Sequence, residues 1–198
     1  MKKIVILIYS VFLIAPSLSH SAEPIDQLRF AIDEVLVILN DPSLNTESGG
    51  DTGHKKIHDI INRIFDFREM SRITLSQNWK RFSEKEKDEF SKVFSEFLTN
   101  TYLGKIQTGF GVEKVVYLNQ KNLKDTKALV ETKILRKTGE VPVDYRMILR
   151  NEVWRVYDIR IEGVSLMKNY YVQFREILHK ESPAYLINLL KEKIDSEG

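Results

Sequence analysis

The chain has 198 residues, of which 42% are hydrophobic and 29% are charged, with 30 basic and 28 acidic side chains. This balance is typical of one globular domain with a substantial core, and it argues against wholesale disorder. Cysteine is absent, so we expect a fold that is stable without disulfides and a protein that is not anchored as a lipoprotein.

The N-terminus has the features of a secretory signal. Lys2 and Lys3 precede an apolar run over residues 4–14, followed by Pro16 and a series of small residues. The run is shorter than the about 20 residues that span a bilayer. We predict a cleaved signal at residues 1–21 and a single mature domain at 22–198. Cleavage lowers the formal charge from +2 to zero, and a neutral domain lacks the basic surface of a nucleic-acid binder.

The first half of the mature chain predicts helices. Apolar residues at helical spacing indicate an amphipathic helix over 24–39 and a shorter one around Ile57, Ile60 and Ile64, separated by a mobile, turn-rich loop at 40–53. Ser83 and Glu86 have the spacing of a capping box, which predicts the start of a helix with an aromatic stripe through Tyr102.

After Gly104 the hydrophobic period changes to that of strands. We predict four strands, at 112–119, 126–136, 140–150 and 152–162, joined by turns short enough to make the sheet antiparallel. Helical spacing returns at 165–180, and Ser182 and Pro183 predict the start of a last helix. The order of elements predicts an α+β fold with a four-stranded antiparallel sheet and amphipathic helices on one face.

Strand alternation predicts an apolar inner face and a charged outer face. Tyr145 and Tyr157 fall on the predicted inner face, whereas Asp144 and Asp158 fall outside with arginines. An enzyme of the ketosteroid-isomerase type would need an acid and a tyrosine in one cavity, so this pattern disfavours it.

Other catalytic patterns are incomplete, so we predict no catalytic residue, no metal site and no cofactor. Ser165 lacks the final glycine of a nucleophile elbow and is a better helix cap. His54 and His58 lack the glutamate of an HExxH motif. Two alternatives stay open: the arginines of the last two strands form either a basic edge or a solvated face, and the aromatic stripe forms either a core or a cavity wall.

Three stretches resemble the MlaC family of periplasmic phospholipid carriers, also known as toluene-tolerance proteins. "WRVYDIRIEGVSLMKNYYVQF" at 154–174 resembles its C-terminal signature, in which Tyr157 and Asp158 precede the run Glu-Gly-Val-Ser. "FDFREMSRITLSQNWKRFSEKEKDEFSKVFSEFLTNTY" is similar to its helical block, and "VPVDYRMIL" to its pocket strand. The sequence departs from the family's pattern at 104–110 and in the loop at 40–53.

The resemblance implies a soluble periplasmic carrier whose sheet and helices enclose the acyl chains of its phospholipid cargo in an apolar pocket. Its implied partners are an inner-membrane ABC-transporter complex with its substrate-binding subunit and an outer-membrane lipoprotein–porin complex, and lipid transfer between them maintains outer-membrane asymmetry. We expect a monomer. The alternatives are the isomerase-like enzyme and a periplasmic chaperone.

The predicted strand face and helical stripe together give the expected lipid contacts, and the outer-face arginines give the expected docking surface. The lipid-binding residues are Phe94, Leu98, Tyr102, Val130, Ile134, Val143, Tyr145, Met147, Tyr157, Ile159, Leu166, Tyr170 and Phe174. The docking residues are Arg146, Arg150, Arg155 and Arg160.

Overall fold

A computed structural model describes residues 22–41, 50–109, 112–136 and 139–197. The predicted signal at 1–21 and residues 42–49 of the predicted loop lie outside this part of the chain. Within it, no helix combines the length and the apolar composition needed to cross a membrane.

The chain folds as helices, then a sheet, then helices, as predicted. The prediction of a loop up to residue 53 is wrong at its end, because residues 50–53 are helical. The fourth helix also continues beyond Tyr102. The helices are α1 (Pro24–Leu39), α2 (Gly50–Ile64), α3 (Phe67–Leu75), α4 (Glu84–Gly109), α5 (Leu166–Lys180) and α6 (Pro183–Glu197), with a 3₁₀ turn at Ser76–Arg81 between α3 and α4.

Serine side chains cap the start of three of these helices, α4, α5 and α6. At α4 the Ser83 amide donates to the Glu86 carboxylate at 2.8 Å and the Glu86 amide donates to the Ser83 hydroxyl oxygen at 3.3 Å, which confirms the capping box. Ser165 accepts from the amide of Lys168 at 3.0 Å, and Ser182 accepts from the amide of Tyr185 at 3.2 Å. Both serines are therefore helix caps, as predicted.

The sheet is antiparallel throughout and has five strands in the order β1-β2-β3-β4-β5. Four strands were predicted. The fifth is a two-residue strand paired with the end of β4 through a tight turn, in which Glu162 and Gly163 have φ of 50° and 81°. The strands are β1 (Val112–Lys124), β2 (Lys127–Arg136), β3 (Gly139–Arg150), β4 (Val153–Ile161) and β5 (Val164–Ser165).

The hydrophobic core has two parts. We call the first the sheet cluster, in which α1 and α2 cover one sheet face around Ala128, Val130 and Met147. We call the second the helical cluster, which joins α3, α4, α5 and α6 around Phe90 and Phe94. Phe65 packs against both clusters.

Helices meet both faces of the sheet, so the prediction that they cover one face is wrong. Arg150, on the face opposite the sheet cluster, lies 3.7 Å from the carboxylates of Asp66 and Glu69 where α3 begins. Ile148 shares that face and is 5% exposed. The strands β3 and β4 are therefore buried on both sides at this end.

Candidate functional site

The inner face of the sheet is apolar along the middle of β2, β3 and β4. Residues that pair directly across an antiparallel ladder lie on the same face. The register therefore places Val130 beside Tyr145, and Tyr145 beside Ile159. Over the described residues of these three strands, this face carries no carboxylate. The structure thus brings together six of the predicted lipid-binding residues: Val130, Ile134, Val143, Tyr145, Met147 and Ile159.

This inner face is closed at one end and less covered at the other. At the closed end Ala128, Val130, Met147 and Val156 are fully buried beneath α1 and α2. Toward the other end Thr132 and Val143 are still buried, but the side chains of Ile134, Val141, Tyr145 and Ile159 are only half-buried. We call this second region the open half of the inner face.

The second half of α1 is loosely packed over the sheet. Its apolar residues Ile32, Val35 and Ile38 pack against the sheet cluster but are only half-buried, unlike Leu28 and Ala31 nearer the start of the helix. Separating two surfaces costs the van der Waals contacts between them. An apolar helix face that is only half-buried against a sheet makes fewer such contacts than a close-packed core, so it separates at a lower cost. The α1–sheet interface is therefore the part of the molecule best suited to admit an apolar ligand.

Two tyrosines supply polar atoms at this interface. Burial raises the pKa of Tyr145 to about 12. Burial also raises the pKa of Tyr117, and the carboxylate of Asp33 and the phenol of Tyr145 raise it further. Both hydroxyls are protonated at neutral pH and are therefore able to donate a hydrogen bond. Asp33 is an exposed residue of α1, so its carboxylate is not part of the inner face of the sheet.

Tyr157 does not share the inner face with Ile159, contrary to the prediction. The register pairs Arg146 with Asp158 and Met147 with Val156, so Tyr157 is an extra residue in a β-bulge. The bulge inverts the alternation along β4, which places Val156 and Trp154 on the inner face. The ring of Tyr157 instead lies 5.1 Å from the Lys127 ammonium.

The helical residues predicted to bind lipid lie in the helical cluster and not on the sheet. Phe94 packs against Tyr170 and Phe174 with ring centroids 5.3 and 5.5 Å apart, edge to face. Leu98 and Leu166 are buried in the same cluster, and Tyr102 lies at its margin. The sequence prediction therefore joined two regions that the fold keeps in separate clusters.

The four predicted docking arginines share the outer face of β3 and β4, because the bulge brings Arg155 onto the side of Arg160. Two of them have structural partners. Arg150 pairs with Asp66 and Glu69, and Arg160 donates to the carbonyl of Gly163 at 3.2 Å. The Nε atom of Arg146 is buried without a hydrogen-bond partner in the described part of the chain.

Two surface depressions lie away from the inner face. One, of about 340 Å³, lies between α2 and α4 and is lined by polar residues that include His58 and Asn62. The other, of about 390 Å³, lies beside α1 near Phe30 and Val153. Both volumes are at the low end of the range of about 300–1,000 Å³ for small-molecule pockets. Neither contains a predicted lipid-binding residue.

The remaining catalytic and metal-binding candidates do not assemble into a site. The ring of His58 is hydrogen-bonded to Asn62 at 2.9 Å on the surface of α2. Across the ranges that the structure describes, no three histidine, cysteine, aspartate or glutamate side chains are grouped to hold a metal ion. Asp158 is occupied at the start of α5, where it accepts hydrogen bonds from Ser165 and Met167.

The sequence pattern did not reveal two residues of this region, for different reasons. Val156 was placed on the outer face because strict alternation gives no sign of an extra residue in β4. Tyr117 was given no role, although an aromatic residue in the middle of a strand was a usable signal of a buried position.

The chain resembles known proteins in sequence and in fold. Residues 29–192 match the family described as MlaC protein. The fold is similar to that of a phospholipid-binding protein from Ralstonia solanacearum, solved in complex with a phospholipid, with a TM-score of 0.77 and 25% identity over 89% of this chain and 99% of that chain. No curated protein matches the chain.

Proposed function

Because this chain belongs to the MlaC family, we propose that it is a periplasmic phospholipid carrier that holds the acyl chains of its cargo against the open half of the inner face. The observation that carries the proposal is the family match together with a structural neighbour solved with a phospholipid. Both support a binding and transport protein over an enzyme.

The inner face has the chemistry that such a carrier needs. Each methylene group taken out of water contributes about 0.8 kcal/mol, so a free phospholipid does not cross an aqueous space at a useful rate. A carrier must replace the bilayer with apolar surface free of unpaired charge. Ile134, Tyr145 and Ile159 provide such a surface, and α1 is the element that must move to admit the chains.

Within this proposal, the protein acts as a monomer between two membranes. It exchanges lipid with an inner-membrane ABC-transporter complex through its substrate-binding subunit, and with an outer-membrane lipoprotein–porin complex. This exchange maintains the lipid asymmetry of the outer membrane. The outer face of β3 and β4 is the proposed docking surface, because its arginines lie on the side of the sheet opposite the proposed lipid-binding face.

The proposal is tested by native mass spectrometry of protein purified without detergent. We expect a mass increment that matches one phospholipid and that disappears after extraction with organic solvent. Protein that carries no lipid, and that acquires none from phosphatidylglycerol vesicles, would contradict the proposal. It would then favour the isomerase-like enzyme or the chaperone.

A photocrosslinking amino acid separates the two sheet faces within one strand. Ile134 and Leu135 are adjacent half-buried aliphatic residues of β2 that point to opposite faces. We expect the crosslinker at position 134 to label bound phospholipid at least tenfold more than the same group at position 135, as measured by mass spectrometry of the adducts. Equal labelling at the two positions would exclude the inner face as the binding surface.

A further inference from the structure

Within the part of the chain that the structure describes, the hydroxyl of Tyr117 is buried on the inner face without a hydrogen-bond partner. Tyr117 pairs with Thr132 across β1 and β2, so both side chains lie on the inner face. The Thr132 hydroxyl donates to the carbonyl of Val143 at 2.7 Å. The Tyr117 hydroxyl is buried, and no hydrogen-bond partner for it exists in the ranges that the structure describes.

An unpaired buried donor is costly because it has lost its hydrogen bonds to water without gaining one in the protein. For this reason most buried polar groups in proteins have a hydrogen-bond partner. Phenylalanine would fill the same space without this cost. The hydroxyl is protonated at neutral pH, and burial raises the pKa of the Tyr117 phenol further. A buried donor without a partner in the protein is expected where a ligand supplies the acceptor.

The surroundings of Tyr117 indicate which part of a ligand reaches it. The guanidinium of Arg29 lies 4.8 Å above its ring, and Asp33 follows one turn later on α1. Tyr145 lies on the same face of the sheet, where it pairs with Val130, two residues along β2 from Thr132. The Tyr117 side chain thus lies at the boundary between the charged residues of α1 and the apolar face of the sheet. In a bound phospholipid the corresponding boundary is formed by the ester carbonyls that join the acyl chains to glycerol.

We propose that the Tyr117 hydroxyl donates a hydrogen bond to an acyl ester carbonyl of the bound phospholipid and thereby fixes how deeply the glycerol backbone sits. This inference rests on the proposed carrier function. It assigns to the site a preference for ester-linked over ether-linked glycerolipids, because an ether-linked chain lacks the carbonyl acceptor. Because the ester carbonyl would be buried in an apolar site, loss of this hydrogen bond should measurably weaken the binding of the lipid.

The test compares two lipids and two proteins. Delipidated wild type and Tyr117→Phe are titrated with dipalmitoyl phosphatidylglycerol and with its di-O-hexadecyl analogue, in competition with a fluorescent phospholipid. We expect wild type to bind the ester lipid about tenfold more tightly than the ether lipid. The substitution should remove this difference by weakening ester binding alone. Tyr185→Phe is the matched control, because Tyr185 is 48% exposed.

Each other outcome overturns the inference. An equal loss for both lipids would make Tyr117 a packing residue, and no loss for either would mean that its hydroxyl does not contact the cargo. Wild type that binds neither lipid would overturn the carrier function itself. A second measurement needs no variant: the infrared carbonyl band of ¹³C-labelled ester lipid should move to lower frequency in wild type than in an apolar solvent, and an unmoved band would contradict the hydrogen bond.

Discussion

Asp158 shows how one buried carboxylate joins a strand to a helix. Its side chain is 3% exposed and accepts from the Ser165 hydroxyl at 2.8 Å and from the Met167 amide at 3.2 Å. Negative charge is favourable at a helix N-terminus, where backbone amides lack partners within the helix. The Tyr-Asp and Glu-Gly-Val-Ser segments of the family signature are thereby held together by a structural contact, not by a catalytic one.

Replacing this carboxylate should destabilise the fold. We expect Asp158→Ala to lower the free energy of unfolding by about 1–3 kcal/mol, because the buried Met167 amide and the half-buried Ser165 hydroxyl lose their acceptor. Denaturant unfolding of delipidated protein measures the change. Asp144→Ala is the control, since the Asp144 side chain is 23% exposed and lies 4.0 Å from Arg160, and it should cost less than about 1 kcal/mol. Equal losses in the two variants would contradict the assigned role of Asp158.

Glu69 should make part of the stability depend on pH. Hydrogen bonds from Arg72, at 2.7 and 2.8 Å, lower the pKa of its carboxyl below the ordinary value of 4.5. A carboxyl with a lowered folded-state pKa stabilises the fold above its unfolded-state pKa, and this contribution is lost as pH falls through the folded-state value. Glu69→Gln should therefore be less stable than wild type at pH 7, and its unfolding free energy should fall less steeply below pH 4.5. Parallel pH profiles would contradict this.

The start and end of several elements could be predicted from the sequence because they depend on nearby residues. Ser83, Ser165 and Ser182 cap helices through bonds to residues three positions later, so local spacing was sufficient. The bulge at Tyr157 depends on which residues of β3 face β4, and no local pattern records it. Alternation therefore predicted the inner-face residues of β2 and β3 correctly. In β4 it assigned the residues before the bulge, such as Val156, to the wrong face.

The arginines on the outer face of β3 and β4 differ in whether they form ion pairs within the protein. Arg150 is committed to α3, whereas Arg155 forms no ion pair with any residue that the structure describes. Long-range electrostatic attraction between proteins acts mainly through charges that are free of such partners. Arg155 is therefore a better candidate for docking than Arg150.

Charge reversal at these two positions should separate docking from folding. We expect Arg155→Glu to weaken binding to the purified inner-membrane substrate-binding subunit by at least fivefold while the melting temperature and the bound lipid stay unchanged. Arg150→Glu should lower the melting temperature, because it places a third carboxylate beside Asp66 and Glu69. Surface plasmon resonance and thermal unfolding measure the two effects. Wild-type affinity in Arg155→Glu would place the docking surface elsewhere.

Phe65 is one of the residues that join the two clusters of the core. Phe65 packs against both clusters and stacks on Phe67 with centroids 5.6 Å apart. Next to it, the Asp66 amide donates to the carbonyl of Val156 at 2.8 Å. A carrier must let α1 separate from the sheet without unfolding the helical cluster, and the buried residues of α1 belong to the sheet cluster alone, which suits the proposed function. Because Phe65 packs against both clusters, we expect it to be important for cooperative unfolding.

The two tryptophans of the chain allow this coupling to be measured, because Trp79 packs at the helical cluster and Trp154 lies in the sheet cluster. Trp79→Phe leaves Trp154 to report on the sheet cluster, and Trp154→Phe leaves Trp79 to report on the helical cluster. In these two backgrounds, delipidated protein should give coincident urea transitions, as expected for two-state unfolding.

Phe65→Ala should lower the free energy of unfolding by about 3 kcal/mol and separate the two transitions, with the sheet cluster unfolding first because α1 is loosely packed. Phe82→Ala, which affects the helical cluster alone, should be similarly destabilising yet keep them coincident. Coincident transitions in Phe65→Ala would show that the clusters are coupled through other contacts.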